Sequence, residues 1–287
     1  MSLDVSVIIP TYNQKPEYLT EAIQSALQQT YSRKKYEILV VDDGSARVPP
    51  DSVMAGFKNE NVKLIKKAHG GTAHTLNAGI RNMQGRYFKW LSSDDALCEE
   101  GLEILMSKAW EDRVTYGDWV RMDQNSSVLN VQREPIFANV NEMKRFLWFG
   151  FFANGSAALI PKSAFVKVGM FDTGLPYFED YDWWLRAIFL YNYIFVHVDG
   201  VVAKYRVHLG QLSVRNGKKP IIRWLVKKRL YTLPHEPLTF GTVPKPSVAS
   251  LTKQMFLHDA RRIFRTVYGD KHAPTELRKL RNTIASA

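Results

Sequence analysis

The feature that most constrains this chain is a repeated unit: a short, unbroken apolar strand that stops in a cluster of small polar and acidic residues. Val5-Ser6-Val7-Ile8-Ile9 ends at Pro10 and opens into Thr11-Tyr12-Asn13. Residues 38–41 open into Asp42-Asp43-Gly44-Ser45, and residues 87–91 into Ser92-Ser93-Asp94-Asp95. Residues 62–65 form one further buried strand. Between these strands the period changes. Pro16 and Glu17 suit a first helical turn, with Ala22, Ile23, Ala26 and Leu27 following at helical spacing. Residues 72–82 and 99–109 also read as helices. Continuous apolar strands, rather than alternating ones, indicate a sheet covered on both faces, and strand–helix alternation indicates an α/β domain. In such sheets ligands bind where the carboxyl ends of strands open into loops. The polar clusters lie at those ends, which locates a site.

The rest of the chain is less regular. Residues 137–208 are rich in aromatics, and beyond residue 214 two or three helices are broken by Pro234, Pro237, Pro244 and Pro246. Charge divides the chain there. Residues 204–287 carry 18 Lys and Arg against 4 Asp and Glu, whereas the remainder carries 21 against 24. The chain is therefore read as a domain over residues 1–214 and a basic helical extension over 215–287. That extension fits either cationic helix faces docked on the domain or attraction to an anionic membrane surface. The single cysteine, Cys98, excludes an intrachain disulfide and suits a reducing compartment. No secretory leader is expected ahead of the first strand. The longest apolar stretches are interrupted, by Asn154-Gly155-Ser156 and by Arg186, too soon to span a bilayer. The location expected is cytoplasmic or peripheral at the inner face of a membrane.

Four constellations carry candidate chemistry. Asp94-Asp95 follows a strand directly; adjacent carboxylates repel unless a cation or a helix N-terminus compensates them, and hard cations prefer such oxygens. The plain alternative is a cap on the following helix. Asp42-Asp43-Gly44-Ser45 is a common turn sequence, but Asp43 can also accept from a nucleobase N–H with Tyr12 stacked on the ring. His69-Gly70-Gly71-Thr72 would let backbone N–H groups approach a phosphate, or form a simple turn. Glu179-Asp180 lies beside Tyr181-Asp182-Trp183-Trp184. An acid near aromatics can have a raised pKa, as a general base needs; the alternative is a helix start with its tryptophans in the core.

The order of these motifs resembles the family 2 glycosyltransferases of GT-A fold. The resemblance runs from the Val5–Asn13 segment through Val40-Val41-Asp42-Asp43-Gly44-Ser45, Gly71 and Leu76-Asn77-Ala78-Gly79-Ile80. It continues through Gly85-Arg86-Tyr87, Leu91-Ser92-Ser93-Asp94-Asp95, Gly169-Met170-Phe171-Asp172 and Glu179-Asp180. Tyr205-Arg206-Val207-His208, followed by Gln211-Leu212-Ser213, closes it.

The resemblance implies a Rossmann-like mixed sheet with flanking helices and an inverting transfer of sugar from a nucleotide donor to an acceptor hydroxyl. It implies that Pro10 and Tyr12 line the base pocket, with Asp43 on the base and Gly71, Asn77 and Ser93 as further donor contacts. Asp94 matches the last acid of the Asp-X-Asp signature, with Asp95 and His208 completing a site for Mn²⁺ or Mg²⁺. Asp180 matches the catalytic base, with Glu179 as its neighbour, and Asn154-Gly155-Ser156 falls in the acceptor-side loop. Ser92 departs from the pattern by replacing the first acid of the signature. The donor expected by analogy is a UDP-sugar and the acceptor a glycan or a lipid-linked glycan, in surface polysaccharide or glycolipid synthesis. The alternative is a family member that binds nucleotide without turnover. No nucleic-acid partner is expected, because the basic residues carry no recognition motif.

Overall fold

The protein is described from a computed structural model, covering residues 2–175, 178–208, 210 and 211. The proposed extension over 215–287, with its helices and its membrane reading, and Leu212-Ser213 lie outside the described residues. The alternating strands and helices form as the sequence reads. β1 (Val5–Thr11) leads to α1 (Pro16–Leu27), β2 (Tyr36–Asp42) to a short α2 (Asp51–Ala55), and β3 (Val62–Lys66) to α3 (Thr72–Asn82). β4 (Tyr87–Trp90) then enters the polar turn and a two-residue strand, β5 (Ala96–Leu97). The helix expected over 99–109 is shorter, α4 (Gly101–Met106), and its cap position is Glu100, so Asp94 and Asp95 do not cap it.

The irregular half is also ordered. β6 (Arg113–Met122) and β7 (Val128–Gln132) form a hairpin, followed by α5 (Val140–Phe149), β8 (Ala158–Pro161), α6 (Lys162–Val168), α7 (Glu179–Leu185) and β9 (Ile194–Arg206). The strands join one mixed sheet in the order β3-β2-β1-β4-β8-β6-β9-β5, with β7 added beside β6. β1 pairs parallel with β2 and β4, while β8 runs antiparallel between β4 and β6.

Alternate side chains of β1 serve two separate cores. Val5, Val7 and Ile9 pack with Leu19 and Ile23 of α1 and Leu102 of α4. Ile8 faces the other way, among Leu76 and Ile80 of α3, Phe165 of α6 and Trp183 of α7. Burial on both faces is why the strand is continuously apolar. Gly79 allows α3 to approach this closely: a Cβ there would lie 2.4 Å from Ile8 Cγ2. β3 corrects the expectation of a third buried strand. It is the edge of the sheet, with Lys63 exposed on one face and Lys66 on the other, and the strand is only half-buried.

Register places the polar clusters together. Thr11 lies opposite Asp42, and the Asp43 amide donates to Thr11 O (2.9 Å), so Tyr12-Asn13 runs beside Asp43–Ser45. Ile8 lies opposite Trp90, setting Ser92–Asp95 next along the same sheet end. Ala96 pairs antiparallel with Lys204, which brings Arg206 and His208 back beside Asp94-Asp95.

Candidate active site

At the end of β2 the two acids divide the two readings between them. Asp42 makes the turn, its carboxylate accepting the Ser45 amide (3.0 Å), with Gly44 in the left-handed region at φ +73. Asp43 is buried and faces the loop before α3. Its oxygens accept the Gly70 amide (3.0 Å), the Gly71 amide (2.8 Å), the Lys67 ammonium and His69 Nδ1 (2.8 Å). Burial alone would raise its pKa, but the donors, led by Lys67, hold it below the usual carboxylate range. The glycine amides expected to meet a phosphate therefore meet a carboxylate of the same chain. Tyr12 is half-exposed, and one face is stacked on His69, ring centroids 4.2 Å apart and planes 20° apart. Pro10 lies just behind, partly exposed.

Asn77 is elsewhere. Its side chain donates to Phe171 O (2.8 Å) and accepts the Phe171 amide (3.0 Å). Buried and with both amide ends satisfied, it ties α3 to the Gly169–Asp172 loop. Ser93 is buried and accepts from Gln14 Nε2 at 3.3 Å.

The adjacent acids Asp94 and Asp95 diverge. Asp94 Oδ2 lies 3.0 Å from His208 Nε2, the side chains of both being mostly but not fully covered. Asp95 turns inward, accepting Ser156 Oγ (2.7 Å) and the Arg206 amide (2.9 Å). Burial first, and the Asp94 charge second, push its carboxyl well above the ordinary range. Both Asp95 oxygens are thus engaged within the protein, on Ser156 and Arg206. Among the described residues no group of three or more His, Cys, Asp and Glu forms a metal site. Asp94 and His208 nevertheless offer one oxygen and one nitrogen on a common side. Mg²⁺-type ions commonly take one or two protein ligands and complete their shell with substrate phosphates and water, so these two residues fit a cation that arrives with a diphosphate.

Three residues lie under this turn and brace it. Arg206 is fully buried. It donates through Nε to Asp94 O (2.7 Å), through Nη1 to Asp123 O (3.2 Å) and through Nη2 to Glu21 (2.5 Å), with its guanidinium over the Tyr18 ring. Ser156 accepts the Ser92 amide (3.2 Å) and donates to Asp95, so Asn154-Gly155-Ser156 supports the turn from below. Lys89 is fully buried and donates to Ser156 O and Ala158 O. Burial pulls its ammonium down to about 7.

The second acidic cluster begins α7. Phe178 precedes it in the left-handed region, φ +64, a strain of roughly 1–3 kcal/mol for a non-glycine residue. Trp183 and Trp184 are buried, donating through Nε1 to Gly169 O and Ala153 O, and Asp182 pairs with Arg186 at 2.9 Å. The helix-start reading thus fits all three acids, which lie in the first turn of α7, and both tryptophans; the protonation of the first two acids is a separate matter. Burial raises Asp180 to about 6, opposed by the Tyr181 amide donating to Oδ1 at 2.7 Å. Burial and then the Asp180 charge raise Glu179 to about 8. Adjacent and interacting, the two titrate as a pair. Glu179 lines a cavity of about 390 Å³ together with the Gly70–Ala73 loop and with Thr173, Gly174 and Leu175.

Residues 6–169 match the family described as glycosyl transferase family 2. The chain belongs to that family. An uncharacterized glycosyltransferase of Rickettsia prowazekii is 35% identical over 215 residues, 73% of this chain and 65% of the relative. This chain thus spans just under two thirds of that protein's length. Two solved structures share the fold. S. aureus TarS in complex with UDP-GlcNAc superposes with a TM-score of 0.63 at 17% identity, covering 92% of this chain and 74% of that one. Pyrobaculum calidifontis mannosyltransferase PcManGT in complex with GDP-Man and Mn²⁺ gives 0.62 at 17% identity, covering 100% and 80%. The family 2 domain here is a GT-A fold. Among its described residues no helix is long and apolar enough to cross a membrane.

Proposed function

We propose that this family 2 domain transfers a sugar from a nucleoside-diphosphate donor to an acceptor hydroxyl, with inversion at the anomeric carbon. One observation carries the reading. One cavity is lined both by the Gly70–Ala73 loop, bonded to the Asp43 nucleobase candidate, and by Glu179, next to Asp180. A donor held at Asp43 and Tyr12, with its diphosphate toward Asp94 and His208, presents its sugar to that cavity.

Each residue has a distinct task. Tyr12 and Asp43 bind and orient the base. Asp94 and His208 would hold Mn²⁺ or Mg²⁺ against the diphosphate; the ion supplies charge neutralisation of the departing nucleotide. Asp180, with a pKa lifted toward neutrality, takes the acceptor proton as the acceptor oxygen attacks. Glu179 keeps its proton until higher pH and so donates a hydrogen bond at neutral pH. One base on the face opposite the leaving group gives direct displacement, and hence inversion. A UDP-sugar is the donor we favour by analogy with the family, with a glycan or lipid-linked glycan as acceptor. A cytoplasmic site of action is consistent with the family's donors, and peripheral membrane contact through the basic residues beyond 214 remains part of the proposal.

The test is incubation with nucleotide sugars, Mn²⁺ and glycan acceptors, following nucleotide release and product anomer. Inverted product is expected from the wild type. Ser92, at the place of an acid, favours one alternative: donor binding without turnover. Nucleotide release that is absent with every acceptor, despite tight donor binding, would select it.

A further inference from the structure

Tyr12 and Asp43, the two groups assigned to the nucleobase, are engaged by one side chain. The His69 imidazole is a flat nitrogen heterocycle stacked nearly parallel on Tyr12 at 4.2 Å. Its Nδ1 faces Asp43 Oδ2 at 2.8 Å and Asp43 O at 3.2 Å, so that nitrogen carries the proton. A ring stack on tyrosine together with an N–H directed at a carboxylate is the pair of contacts that a keto nucleobase makes.

The carboxylate leaves no room for both. Each Asp43 oxygen already accepts two donors: Gly70 N and Lys67 Nζ on Oδ1, Gly71 N and His69 Nδ1 on Oδ2. Two oxygens offer about four lone-pair sites, so a base N–H can bond Asp43 only if one donor leaves. The backbone amides are fixed by the turn into α3. Of the side-chain donors, Thr75 is buried in α3, Lys67 is 20% exposed and His69 56%. Only the departure of His69 also frees the Tyr12 face.

We infer that His69 is the residue that sets nucleobase affinity, its imidazole standing in the place of the base and yielding to it when a donor binds. This rests on the nucleotide-sugar reading above. The ring stack and the hydrogen bond hold Tyr12 and Asp43 in their binding orientations, and their loss is deducted from the affinity of every donor.

The experiment is calorimetric titration of wild type and His69→Ala with UDP, GDP, dTDP, CDP and ADP in Mn²⁺. Inorganic pyrophosphate in Mn²⁺ serves as a probe without a base. The variant is expected to bind its preferred nucleoside diphosphate about 3- to 10-fold more tightly, the range of an aromatic pair at a partly exposed site. Pyrophosphate affinity should be the same in both proteins. Equal or weaker nucleotide binding by the variant overturns the inference, since His69 would then be neutral or a direct partner of the base. No binding of any nucleotide to either protein overturns the nucleotide-sugar reading, and this inference with it.

Discussion

The end of β2 and the start of α7 each hold a pair of adjacent acids, and the chain treats the pairs in opposite ways. Asp43 is surrounded by donors and held as an anion; Glu179 and Asp180 meet few donors and are held near their protons. Burial acts on all three carboxyls in the same direction. The number of N–H groups aimed at each decides the outcome. A carboxylate that must bind a ligand is kept charged, whereas one that must accept a proton is kept close to losing it. In the proposed function the contrast corresponds to recognition at the strand ends and proton transfer at the helix start.

Removing the proton acceptor should give the largest effect. Asp180→Asn keeps shape but not basicity, so sugar transfer should fall by about 10²–10⁴-fold with donor affinity nearly unchanged. Initial rates beside donor titration check this; lost donor affinity would erase the division of labour. Asp94→Asn should follow, lowering Mn²⁺-dependent nucleotide binding by roughly 10–100-fold or more. Asp95→Asn should instead leave Mn²⁺-dependent binding largely intact and lower thermal stability, because Asp95 bonds Ser156 and Arg206. Calorimetry on both variants separates ligand from support.

A smaller effect is the dependence of stability on pH. Asp43 has a folded pKa below its unfolded value, so its contribution is present above the unfolded pKa and is lost as pH falls through the folded one. Glu179 is raised, so its contribution is present below the unfolded pKa of about 4.3 and is lost as pH rises to about 8. Thermal melts of Glu179→Gln against wild type should therefore show a higher Tm at pH 9 and little difference at pH 4. Asp43→Asn should lose stability at pH 7 and little at pH 3.

Much of this was legible in the sequence, for local reasons. Strand period and helix signals placed β1, β2, β4 and α3, because a sheet covered on both faces needs unbroken apolar strands. Side-chain direction was not legible. Asp94 and Asp95 are indistinguishable as letters, and what turns one inward is Ser156 and Arg206, 61 and 111 residues away. Asn77 falls in a motif read as ligand-binding, yet its partner is Phe171, 94 residues on. Lys89 stands as a lone charge in an apolar strand, but its partners, Ser156 O and Ala158 O, lie 67 and 69 residues on. His69 reads in the sequence only as part of a phosphate-approaching loop or a turn, since no pattern shows that its ring meets Tyr12.

The most direct test of the division between anion-holding and proton-holding acids is the pH dependence of sugar transfer at saturating donor, in wild type and Glu179→Gln. The account expects an acid limb near pH 6 in both proteins, from Asp180, and an alkaline limb near pH 8 in wild type alone, from Glu179. An acid limb at the ordinary aspartate value near 4, or an alkaline limb that persists in Glu179→Gln, would contradict it.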